Sequence, residues 1–127
     1  MPALTDAVMA RDAATVGRLI AAGHPLEERD HIGNTALLIA TASNQFVIAR
    51  LLVAAGADIF ARGPLGGTAG RYAQMSRVAD THPEGIARGA LIESMREQGF
   101  PFPAPHPDEV QAMAAVSRWP PPPHMSR

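Results

Sequence analysis

One short pattern returns at a fixed distance. Leu19-Ile20-Ala21-Ala22-Gly23 comes back as Leu52-Val53-Ala54-Ala55-Gly56, and the two glycines stand 33 positions apart. Gly33-Asn34-Thr35-Ala36 returns as Gly66-Gly67-Thr68-Ala69, again 33 positions on. A supersecondary unit of that length cannot hide its own apolar face, so copies must lie against one another. The period therefore points to a stack of small units and away from a closed single-layer fold.

The stretch Asn34–Asp58 shows what one unit contains. Thr35 is placed to cap a helix, its hydroxyl accepting from a backbone N–H two or three residues on. Leu37, Leu38, Ile39 and Ala40 give that helix an apolar side. Ser43-Asn44-Gln45 has the composition of a turn. A second helix follows, and Val47, Ile48, Leu51 and Leu52 are read as its inward stripe. Gly56 ends it, because the residue after a helix commonly takes the left-handed conformation that suits glycine. The unit is thus two short antiparallel helices, and the fold class is all-α.

A 33-residue period, with Gly-x-Thr opening one helix and Leu-Leu-x-x-x-Gly closing the next, resembles the ankyrin repeat. The resemblance spans about Leu4 to Gly99 and is strongest over Asp30–Ala61. It implies a solenoid of about three helix-pair repeats joined by short, hairpin-like fingers. The family's Thr-Pro-Leu-His tetrad stands here as Thr35-Ala36-Leu37-Leu38, without the proline and the histidine. In the third unit it is Thr68-Ala69-Gly70-Arg71. Gly70 there leaves a packing gap, assigned to Tyr72 as filler, and glycine costs a helix about 1 kcal/mol relative to alanine.

Taken in order, units are expected at about 1–29, 30–62 and 63–104, forming one repeat domain over 1–104. The first unit has Leu4, Ala7 and Val8, then Val16, Leu19 and Ile20, turned inward, with Asp12 as the cap of its second helix. No finger precedes it, as suits a terminal unit whose outer face meets water. Gly99 stands 43 positions beyond Gly56, ten more than the period, and the extra residues are assigned to Ser76–Gly85. The second helix of that unit is read as Ile86–Gln98, with Ile86, Ala90, Leu91 and Met95 inward. Gly99–Pro107 alternates proline with other residues and cannot be helical. Its Phe100 and Phe102 are expected to fold back onto the third unit. Asp108 is read as the cap of a C-terminal helix within 105–118, with Val110 and Met113 inward, that covers the end of the stack. Trp119 adds to the lid. Residues 119–127 form a Pro-rich flexible tail, with a polyproline run at Pro120–Pro123.

Composition removes several function classes. A net charge of −1 offers no electrostatic case for nucleic acid or an anionic membrane. With no cysteine there is neither a disulfide framework nor a thiolate metal site. No run approaches the length of a membrane span, and the first residues lack the pattern of a signal peptide. The cytoplasm is the expected compartment. Arginine without lysine, amid abundant Ala, Gly and Pro, suggests a bacterial source.

Catalytic patterns are weak. His24, His31, His82, His106 and His124 are scattered, with no pair at metal-binding spacing. Glu27, Glu28 and Asp30 read as a solvated edge. No serine sits in a nucleophile elbow. Gly63-Pro64-Leu65-Gly66-Gly67-Thr68 lacks the strand and lysine of a phosphate loop. Met9, Met75, Met95 and Met113 read as core fillers. The expectation is a non-enzyme without metal or cofactor. A metal-assisted hydrolase using loop and tail histidines stands as a remote alternative.

What remains is a surface. Ankyrin repeats bind proteins through finger tips and the exposed side of the first helices, on the concave face. By position, that resemblance selects Arg29, His31, Ile32 and Asn34 from the first finger. It selects Ala42 and Ser43 from the first helix of the second unit, and Arg62, Pro64, Leu65 and Gly67 from the second finger. The expected partner is another protein, with the chain a monomer or weak homodimer. Self-association through the lid helix or the Trp119 tail is the alternative.

Overall fold

The computed structural model describes residues 3–121. It contains α1 (Ala3–Met9), α2 (Ala13–Ala21), α3 (Ala36–Ala42), α4 (Phe46–Ala54), α5 (Ala69–Met75), α6 (Pro83–Glu97) and α7 (Pro107–Ala115). The described residues form no strand, only two isolated antiparallel bridges, Arg29 with Thr35 and Arg62 with Thr68. Met1 and Pro2, and the part of the polyproline run and tail beyond residue 121, lie outside the described residues.

Helices pair as α1–α2, α3–α4 and α5–α6, and the pairs stack sideways in two layers. One layer runs α1–α3–α5, the other α2–α4–α6. The chain is an all-α solenoid of about three helix-pair repeats, and its core runs through the stack. Leu4, Val8 and Val16 lie in the first unit, Leu37, Phe46 and Leu52 in the second, and Leu91 and Met95 in the third. Thr35 and Thr68 cap α3 and α5, accepting from the N–H groups of Leu38 and Arg71. Asp12 caps α2 through Thr15. Gly23, Gly56 and Gly99, each just past a second helix, have φ of 78°, 103° and 97°, the left-handed closure that a side chain would strain.

Polar ties repeat between units as well. Arg11 Nη2 donates to the Ser43 carbonyl at 3.1 Å, and Ser76 Oγ meets Asn44 Oδ1 at 2.8 Å, both 32 residues apart. Gln45 is buried at the start of α4 and reaches back to the Val8 carbonyl at 3.0 Å.

Several sequence expectations are corrected. Val47 and Leu51 are exposed on α4; Phe46, Ile48, Ala49, Leu52 and Val53 face inward. Phe46, the largest of these side chains, is fully buried. Ile86 is 62% exposed, with Ala87, Leu91 and Met95 inward on α6. Met9 and Met75 are exposed rather than core fillers. The ten extra residues of the third unit divide between loop and helix. Seven residues join α5 to α6 where three join α3 to α4, and α6 has 15 residues where α4 has 9. That loop is pinned. Arg88 donates to the Ala73 carbonyl and reaches Asp80, and the backbone at Ala79 rests where a side chain on Gly85 would stand.

At the C-terminal end, His106 caps α7, in place of Asp108. Its Nδ1 accepts from the Asp108 N–H, and Glu109 completes a capping box. The Gly70 gap is filled by Phe100, not by Tyr72, whose hydroxyl lies over Gly67. The segment after Gly99 docks on α5 at Ala104, whose N–H donates to Gln74 and whose carbonyl accepts from Arg71. Phe60, Phe100, Phe102 and Trp119 pack together over this end, with Phe60 and Phe100 stacked at 5.7 Å.

Candidate functional site: the finger face

The two fingers are built on one template. In the first, Asp30 N–H donates to the Asn34 carbonyl and Gly33 N–H to the Asp30 carbonyl, both at 3.0 Å. In the second, Gly63 N–H donates to Gly67 at 2.8 Å and Gly66 N–H to Gly63 at 3.0 Å. Each bond recurs at the repeat distance. The first tip is additionally tied by the Asp30 carboxylate, which accepts from the N–H groups of Ile32, Gly33 and Asn34. These bonds, that from Asn34 foremost, hold its pKa below the ordinary value against an opposing effect of burial; the charge of His31 adds to them.

Gly63 stands in the second finger where Asp30 stands in the first, and the two fingers touch there. A side chain at 63 would run into Asn34 Oδ1 of the first finger. Gly33 likewise lies beside the Pro64 ring. Arg29 completes the contact, with Nη1 donating to the Gly33 carbonyl at 2.6 Å and to the Arg62 carbonyl at 2.9 Å. On its far side the second finger meets α7. Arg62 Nη1 donates to Gln111 Oε1 at 2.7 Å, and Gln111 Nε2 donates to the Pro64 carbonyl at 3.3 Å. The C-terminal helix thus stands where a third finger would be.

The residues selected from the sequence divide by location. Arg29 and Arg62 line one cleft of about 310 Å³ together with Gly33, Gly63 and Pro64. Ile32 is 59% exposed and Leu65 82%, one repeat apart at the tips. His31 is exposed beside Ile32. Asn34 is half-buried against Gly63. Ala42 lines a separate cleft of about 280 Å³ with Thr41, Asn44, Tyr72, Met75, Ser76 and Arg77. Ser43 is half-buried, its hydroxyl donating to the Ile39 carbonyl at 2.6 Å. Gly67 is buried beneath Tyr72 and offers no surface. Gly33 and Gly63 were missed as lining residues, although the finger register carried that signal. Gln111 was missed because nothing in the local pattern ties it to a finger 49 residues away.

Among the described residues, no carboxylate lies within ion-pair distance of Arg29 or Arg62. No group of three or more His, Asp or Glu side chains among them is arranged to hold a metal ion. No described helix is long and apolar enough to cross a membrane.

Helix pairs stacked sideways, with fingers projecting at equal intervals, define a helical-repeat solenoid. Residues 32–64, which run from the first finger tip through α3 and α4 into the second finger, match the family model of the ankyrin repeat, and the fold is that of an all-α ankyrin solenoid. No curated protein matches it. Ankyrin repeats are generally protein–protein interaction modules, and the family is typically non-enzymatic.

Proposed function

We propose that this chain is a non-catalytic module that binds a partner protein through its two fingers, with Ala42 at the end of α3 extending the contact surface. The observation that carries the reading is the condition of the tips. Ile32 and Leu65 stand in the same register and are open to solvent, while finger-to-finger contacts hold the loops behind them in place. Rigid presentation of two aliphatic tips and two arginines lowers the ordering cost of binding. Both residue types are effective at small interfaces, the aliphatics by burial and arginine by forked hydrogen bonding. The absence of cysteine fits a cytoplasmic setting, and an arginine-only basic set fits a bacterial source.

Recovery of a specific partner on the immobilised protein tests the reading. Leu65→Asp and Arg62→Glu are expected to abolish capture while α-helical content is kept. A partner held equally by both variants would move the interface off the fingers. Self-association is a second reading. Trp119 packs on Phe60 of its own chain, its Nε1 donating to the Phe60 carbonyl. The exposed Val47 and Leu51, which line a cleft with Ala87 on the outer layer, are the surface that favours it. A strict monomer in light scattering at high concentration ends that reading.

A further inference from the structure

The geometry points to an acidic, extended segment of a partner protein as the occupant of the finger cleft, with its carboxylates on Arg29 and Arg62 and its apolar residues on Ile32 and Leu65. This inference rests on the finger-binding reading above and adds the chemistry of the partner.

A guanidinium presents its N–H donors in a rigid fork, and a carboxylate takes two of them in parallel. Arg29 commits only Nη1 within the chain, to two carbonyls, and Arg62 commits only Nη1, to Gln111. The Nε and Nη2 pair of each makes no hydrogen bond among the described residues, and that side of the fork suits a bidentate carboxylate. Both arginines are exposed, both line the same cleft, and neither has an acidic neighbour within 4.0 Å. Their committed bonds fix each guanidinium in place, so little side-chain freedom is lost when a ligand arrives.

The second row of the surface is aliphatic. Ile32 and Leu65 repeat the register of Arg29 and Arg62, three residues further along each finger. An extended peptide turns successive side chains to opposite sides, so acidic and aliphatic residues in alternation would serve both rows. Nucleic acid fits less well. Glu27, Asp30 and Asp108 stand in or beside the fingers, the chain carries a net charge of −1, and two arginines make too short a track for a phosphate backbone.

Selection of displayed random peptides on the intact chain provides the test, with winners measured by fluorescence anisotropy at low and high salt. The expected winners are rich in Asp or Glu interleaved with aliphatic residues, and their affinity falls with salt. Arg62→Gln should weaken them roughly tenfold, the scale of a lost charged hydrogen bond. Exchanging the peptide's acids for amides should cost about as much, and the two losses should not add. Arg62→Gln is the informative variant, because Arg29 contacts the main-chain carbonyl of residue 62 and keeps that bond; a melting curve checks its fold. Leu65→Ser marks the finger tip without adding charge. Winners that weaken on Leu65→Ser yet bind Arg62→Gln unchanged would overturn the acidic-segment inference and leave finger binding standing. Winners indifferent to both variants, or no winners at all, would overturn both.

Discussion

The ring of Phe100 occupies the space where a side chain on Gly70 would sit, so an ideal Cβ at position 70 would fall against ring carbons. Two irregularities in the sequence, a glycine inside a core helix and a phenylalanine in a proline-rich stretch, are two halves of one contact. Gly70→Ala improves helix propensity but overpacks this site, with an expected net cost of about 1–3 kcal/mol. Phe100→Ala empties the notch and should cost about 3–5 kcal/mol. Phe100→Ala combined with Gly70→Ala should cost less than the sum of the two single changes, because the added Cβ enters space the ring has left. A denaturant double-mutant cycle measures the coupling; simple additivity would mean the residues do not meet.

Gly17 and Gly89 are the contrast. Both lie inside helices, α2 and α6, and a Cβ at either would meet nothing within 4 Å. With no packing reason to lack a side chain, Gly17→Ala and Gly89→Ala should each stabilise the fold by about 0.5–1 kcal/mol. Thermal melts of the three glycine variants side by side should show Gly70→Ala moving down and the other two moving up.

The aromatic lid makes a prediction of its own. Trp119 Nε1 donates to the Phe60 carbonyl at 2.7 Å, and its ring meets Phe60 and Phe100 edge-on at 6.0 and 5.7 Å. Trp119→Phe keeps much of the ring contact and loses the hydrogen bond, for about 1 kcal/mol. Trp119→Ala should cost about 2 kcal/mol, less than a fully buried aromatic because this one is half-buried. Circular dichroism melts measure both. The chain has a single tryptophan, so its emission reports on the lid directly. Phe60→Asn should red-shift that emission at temperatures well below unfolding, and an unmoved spectrum would mean that Trp119 does not depend on Phe60.

What could be read from the sequence was what repeats. Thr35 and Thr68 announce helix starts through local side-chain chemistry, and Gly23, Gly56 and Gly99 announce helix ends. Relationships between distant, non-repeating residues stayed hidden. Nothing near Gly70 names Phe100, and nothing near Arg62 names Gln111. The rotation of α4 was misread because Val47 and Phe46 are both apolar, and only packing on two neighbouring layers decides which one turns inward. His106 was passed over as a cap because histidine is an uncommon N-cap, whereas Asp108 looked the usual type. On the finger face, the exposed tips followed from register. The burial of Gly67 did not, since it depends on where the Tyr72 hydroxyl comes to rest.

The first finger should carry a pH signature that the second lacks. Asp30 accepts three backbone N–H groups in its ionised form, which holds its folded pKa below the ordinary carboxylate value of 3.8. In the unfolded chain those bonds are gone, so the unfolded state takes up its proton at a higher pH. Stability therefore rises with pH across this interval. The contribution of Asp30 is complete above the unfolded value and disappears as pH falls through the lower folded one. Asp12 and Glu28 are also held low, by bonds from Thr15 and from His24, and produce a similar background slope. A comparison of wild type with Asp30→Ala cancels that background. The variant should melt lower than wild type at pH 7, and the gap should narrow once pH drops below about 4, the unfolded value. Asp30→Asn keeps an oxygen acceptor without the charge and should fall between the two at pH 7, its offset from Asp30→Ala nearly independent of pH. A gap between wild type and Asp30→Ala that stays constant down to pH 2 would show that the finger does not depend on the ionised carboxylate.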